Sequence, residues 1–88
     1  MKIIFDDLDY CDELLEDIDY WCETHGIPTD KVVVDYIENS IDGVDYYIIT
    51  VSEPLFSYLM WKETDTTDKY GIRGWNRWIE SNYHCETV

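Results

Sequence analysis

Carboxylates are the groups in this chain with the greatest capacity for chemistry. Twenty Asp and Glu stand against six Lys and Arg, a formal charge of −14 over 88 residues. Nine of them (Asp6, Asp7, Asp9, Asp12, Glu13, Glu16, Asp17, Asp19 and Glu23) crowd into residues 6–23, and no Lys or Arg lies between residues 3 and 30. Acid–base catalysis would need one carboxyl set apart from another by its surroundings. Here they are too many and too alike for any pair to stand out. No Ser/His/Asp or Cys/His grouping and no glycine-rich phosphate loop accompanies them. The chain therefore reads as non-catalytic.

Metal and base-stacking chemistry fare no better. Asp6-Asp7-Leu8-Asp9 opens like a calcium loop, but no glycine follows at the sixth position, and the segment has helical periodicity. Cys22-x-x-His25 with His84-Cys85 would supply four zinc ligands if the ends of two helices met. Cys11 and Cys22 instead fall on an apolar stripe, where a free cysteine packs as a small hydrophobe, and an adjacent His-Cys pair lacks the spacing of a metal knuckle. Trp75-x-x-Trp78 with Arg73 and Arg77 has the residue types for base stacking, yet Trp at helical spacing is the mark of a core, and the net field repels nucleic acid. No metal or other cofactor is expected.

What remains is a fixed negative surface, and the elements that would carry it can be read from the pattern. Leu8, Cys11, Leu15, Ile18, Cys22 and His25 recur at alternating steps of three and four, widened by Leu14 and Trp21, so residues 6–25 form a helix with one buried side. Asp6 or Asp7 caps it, Gly26 ends it and Pro28 prevents its return. Residues 31–38 and 44–52 are β-branched and aromatic and flank Asp42-Gly43, a hairpin signal. Residues 55–63 read as a third strand, although Leu, Met and Lys also suit a helix. Thr64 to Gly71 is polar and loop-like, and residues 74–84 form a closing helix with Trp75, Trp78, Ile79 and Tyr83 on one side. The expected fold is α+β, a three-stranded antiparallel sheet flanked by two helices in the order α-β-β-β-α, within a single domain spanning residues 1–88. Residues 2–5 would add at most a short edge strand.

Projected at ~100° per residue, the first helix separates its apolar and charged sides. Asp9, Asp12, Glu13, Glu16, Asp17, Asp19 and Glu23 fall on the solvent side, with Tyr20 near the middle and Tyr10 at the margin. A solvated helix normally mixes Glu with Lys at i,i+4. This one instead places like charges together at Asp9–Glu13, Asp12–Glu16, Glu13–Asp17 and Asp19–Glu23, at ~0.2–0.5 kcal/mol each. The total of about 1–2 kcal/mol has no return on a surface with nothing to bind. Nine acids over ~27 Å of helix give one charge per ~3 Å, close to the ~3.4 Å of one DNA strand. Asp30, Asp35, Glu38, Asp42, Asp45 and Glu53 would add a second row from the sheet, with Asp35, Glu38, Asp42 and Asp45 as its partner-binding members. Tyr20 offers a rigid, amphipathic anchor among the carboxylates.

The rest of the composition bounds the setting. Hydrophobic residues at 45% and aromatic residues at 16% exclude a disordered acidic tail. The charge makes nucleic acid and anionic membrane poor partners and a basic protein a good one. Three cysteines form no even-numbered disulfide framework, Met1 to Asp6 is too short an apolar run for a signal peptide, and no segment reaches the length of a membrane span. A reduced, cytoplasmic setting is expected.

In size, acidity and expected element order the chain resembles the small bacteriophage inhibitors that imitate DNA, the anti-restriction and acidic anti-CRISPR proteins. That resemblance covers overall character rather than any shared motif. It implies a phage-encoded antagonist acting in the host cytoplasm, occupying the nucleic-acid groove of a CRISPR effector, a restriction enzyme or another DNA-processing enzyme. Bacterial immunity proteins, which neutralise basic nuclease toxins, are similar in the same respects and supply the alternative.

Overall fold

The computed structural model describes residues 1–64 and 72–88, with side chains beyond the gap described from Gly74 onward. In chain order the elements are β1 (Lys2–Phe5), α1 (Leu8–His25), α2 (Thr29–Val32), β2 (Val33–Ile41), β3 (Val44–Val51), α3 (Glu53–Thr64), α4 (Ile72–Tyr83) and β4 (Cys85–Thr87). The class is α+β, as expected, but the sheet has four strands in the order β2-β3-β1-β4, each antiparallel to its neighbours.

The expected order α-β-β-β-α with two helices is corrected to β-α-α-β-β-α-α-β, with four helices among the described residues. Residues 55–63 are helical: Phe56, Leu59 and Met60 are buried at helical spacing, while the Phe56 N–H bonds the Ser52 carbonyl at 2.8 Å to start the first turn. Pro54 in that turn needs no intrahelical donor, and Leu, Met, Lys and Glu are good helix formers. Residues 2–5 are an interior strand and not an edge, with Ile3 facing Ile49 on one side and Thr87 on the other. Ile3 and Phe5 are fully buried, which is why so short a strand holds the centre. Cys85–Thr87, which the periodicity did not suggest, closes the sheet against β1. Within the hairpin, β2 begins after the single helical turn α2 and runs on to Ile41, later at both ends than residues 31–38. The expected polar loop lies, apart from Thr64 in α3, outside the described residues.

All the described helices pack on one side of the sheet. Ile3, Phe5, Ile49 and Val51 meet Cys11, Leu14, Ile18, Trp21 and Cys22 of α1, Phe56, Leu59 and Met60 of α3, and Ile79 and Tyr83 of α4 in one buried cluster. Each buried Ile, Leu or Phe contributes ~1.5–3 kcal/mol. This cluster is what offsets the repulsion among the acids. Trp78 packs its ring against Trp21 and Tyr83, centroids 6.2 and 5.9 Å away, so it serves the core. By strand alternation the other side of the sheet carries Ile4, Ile37, Tyr46 and Ile48.

Candidate functional site

The acidic helix forms as its pattern demands. The Asp7 carboxylate caps α1 by accepting the Asp9 N–H at 2.9 Å, and Gly26 ends it in the left-handed region at φ 69°, where a Cβ would be strained. Cys11, Leu14, Ile18, Trp21 and Cys22 are buried, and Asp9, Asp12, Glu13, Glu16, Asp19, Tyr20 and Glu23 are exposed. Tyr20 is 64% exposed, in line with its projected place among the acids.

Two of the seven helix acids have other work. Asp17 is half-buried and accepts the Tyr83 hydroxyl, tying α1 to the end of α4. Burial and that carboxylate both hold the Tyr83 hydroxyl protonated well above the ordinary tyrosine range. Asp19 accepts the Thr29 hydroxyl at 2.7 Å and fixes α2 beside the helix. These flank positions sit about 100° either side of the buried centre at Ile18, where a short acid reaches a neighbouring element instead of a partner. Among the described residues, the helix acids with no hydrogen bond to another element are Asp9, Asp12, Glu13, Glu16 and Glu23, and they form a ridge with Tyr20 among them. From Asp9 to Glu23 it runs ~21 Å, one charge per ~4 Å, slightly sparser than one DNA strand.

The sheet acids divide. In β3, Ile49 and Val51 face the helices, so their neighbours across the ladder place Tyr36 and Glu38 on that side and Asp35, opposite Thr50, on the other. Burial first, then the charges of Asp12 and Glu38, raise the pKa of Cys11 to about 11. Burial, then its hydrogen bond to Glu38 at 3.1 Å, lifts Tyr36 to about 12, with Asp12 adding to the field. Tyr47 is raised by desolvation first and then by Asp45 and Glu38. Glu38 and Asp45 lie together on the helix side of the hairpin, beside Tyr47. Asp42 stands apart at the hairpin tip with φ 53°, and Asp35 belongs to the opposite face of the sheet. Asp30 and Glu53 lie in α2 and α3, off the sheet, and a single second row of Asp35, Glu38, Asp42 and Asp45 is not formed.

The motifs set aside for metal chemistry have other surroundings. Cys22 is buried, His25 pairs with Glu63 of α3 at 2.8 Å, and His84 stacks on Tyr10 at 4.7 Å. Among the described residues no three His, Cys, Asp or Glu side chains converge as a metal site. Sequence reasoning missed a second exposed aromatic group, Tyr58 and Trp61 of α3, with the Lys62 ammonium 5.7 and 4.5 Å from their ring centres. It was hidden by reading those residues as strand. Among the described residues no helix is long and apolar enough to cross a membrane. Compared with protein-family models, with curated proteins and with solved structures, the chain matches none.

Proposed function

We propose that this protein is a non-catalytic inhibitor whose acidic ridge occupies the nucleic-acid groove of a basic host enzyme, one that processes DNA or defends against it. One observation carries the reading: five carboxylates and an exposed tyrosine share the outer arc of a helix that has no Lys or Arg. Such a surface loses stability to its own repulsion and regains it against a groove lined with Lys and Arg. Fixed carboxylates replace the phosphates, and Tyr20 supplies the apolar grip that charge alone lacks.

The test is capture of partners from host lysate treated with nuclease, followed by competition. The protein should displace labelled DNA or RNA from the captured enzyme, and Glu16→Lys should weaken both capture and displacement. A captured enzyme that holds its nucleic acid and this protein together refutes occupation of the groove. A toxin nuclease bound beside its active site would instead establish the immunity-protein alternative.

A further inference from the structure

One edge of the sheet is long and, among the described residues, unpaired. β2 has nine residues and stands at the margin, with β3 as its one neighbour. Its outward backbone groups follow from the turn. Asp42 and Gly43 have φ of 53° and 79°, the pattern of a two-residue primed turn, which makes Ile41–Val44 a hydrogen-bonded pair. By alternation Asn39 and Ile37 also bond to β3, while the N–H and C=O of Tyr36, Glu38 and Ser40 point away from it. The Ser40 N–H accordingly donates to Asn39 Oδ1 at 2.9 Å. Proteins usually blunt such an edge with charged side chains, Pro, a bulge or a cover, and the charges here are the acids Asp35 and Glu38, which repel a like strand and admit a basic one. Here the bulge lies at Val34, and from Asp35 to Ile41 there is neither Lys nor Pro. Ile37 and Ile41, at 45% and 55% exposure, lie along it.

We propose that this edge takes up an extended segment of a basic protein as a fifth strand, with basic and apolar residues alternating. The inference rests on the reading above that the partner is basic. A residue opposite Tyr36, Glu38 or Ser40 would share their side of the sheet, beside a shallow groove lined by Glu38, Asn39, Ser40, Asp45 and Tyr47. Lys or Arg fits there. Its neighbours on the other side would lie against Ile37 and Ile41, which suits Val or Ile. A second copy of β2 is the poorer occupant, since it would bring Asp35 and Glu38 again together with a further charge of −14.

The probe is a short capped peptide of alternating Val and Lys, compared with an isomer in which the same residues stand in two blocks. Nuclear magnetic resonance on the free protein reads affinity and amide exchange. The alternating peptide should bind ~10-fold more tightly than the block isomer and slow exchange at Tyr36, Glu38 and Ser40. N-methylation of its ladder amides should abolish that difference, and Glu38→Gln should weaken binding with the spectrum otherwise intact. Equal binding of the two isomers, or protection confined to α1, overturns the inference. So does protection of the same three amides on concentrating the protein without peptide, which would make a second copy the occupant. No lysate partner is involved, so this result stands or falls apart from the capture experiment.

Discussion

Glu13 stands at the centre of the repulsion on α1, with Asp9 four residues before it and Asp17 four after. Reversing it to Lys converts two like-charged pairs into two opposite ones. Each pair swings by ~0.4–1 kcal/mol, the sum of a lost repulsion and a gained attraction, so the bound is ~0.8–2 kcal/mol of added stability at low salt. Asp17 is turned toward the Tyr83 hydroxyl, which reduces its share and places the expectation near ~1 kcal/mol. In a domain of this size that is a rise of ~4–8 °C in melting midpoint. Paired thermal and urea melts of both proteins at low ionic strength measure it. Repeating them at high salt should shrink the gain, because screening already relieves the unmodified protein. The same substitution should weaken capture of the partner. An exposed change that strengthens the fold and harms binding is the signature of a surface held for function. A midpoint unchanged or lowered at low salt would refute the premise that the ridge repels itself. A stabilised variant that captures the partner as well as before would move the interface off α1.

Tyr20→Ala should weaken partner binding by ~1–2 kcal/mol, mostly through faster dissociation, and change stability by less than ~0.5 kcal/mol; binding kinetics beside urea melts check both halves. Tyr83→Phe should destabilise by ~1–2 kcal/mol, because it removes the bond that joins α4 to Asp17 while leaving that carboxylate able to recruit water; an unchanged urea midpoint would show that the bond is idle. Alkaline pH should unfold the protein early. Burial raises Cys11 to about 11 and Cys85 to about 12. Thiols of the unfolded chain ionise near ~8.5, so the unfolded state loses protons first and stability falls as pH rises from there toward the folded values. Tyr83 adds to the fall above about pH 10. A melting midpoint flat from neutral to strongly alkaline pH, or one unaffected by replacing both cysteines with Ala, would contradict this.

The first helix and the hairpin were legible because each had a period and a punctuation mark. α1 is bounded by an Asp cap and a left-handed Gly within a residue or two of where the pattern put them, and Asp42-Gly43 makes the turn. The third strand was misread because Leu55, Phe56, Leu59, Met60 and Trp61 form a nearly continuous apolar run, and such a run fits strand or helix alike. Tertiary position decided it: the segment packs against the other helices, with Phe56, Leu59 and Met60 turned into the core. β1 and β4 are four and three residues long, too short to show any period, and they exist as strands because β4 pairs with β1 and β1 with β3. The site was legible on its ridge and illegible on its flanks. Nothing local says that Asp17 will meet Tyr83, sixty-six residues on, or that Asp19 will meet Thr29. The division of the sheet acids, by contrast, was within reach. Counting back from the two-residue turn puts Asp35 and Glu38 on opposite sides, since they differ by an odd number of residues.

The acids of α1 thus act in two opposed ways, and the difference bears on what the surface is for. Asp17 and Asp19, at the flanks, each hold a neighbouring element and contribute to stability. The ridge acids meet no base on their own helix and subtract from it. A surface needed merely for solubility could carry half this charge, at a net magnitude of ~2–8, and could mix signs along the helix. Concentration of the unpaired acids on the outer ridge, rather than their number, is what solubility leaves unexplained. Tyr36 and Glu38 lie on the side of the sheet against which α1 packs, so the acid of the edge strand shares that side with the helix. A basic partner strand added there would place its alternate Lys and Arg within the field of the ridge, where each neutralised carboxylate removes a repulsion as well as gaining an attraction. Binding should then stabilise the fold more strongly than salt does. A melt of the protein saturated with the alternating peptide, against free protein at matched ionic strength, compares the two directly.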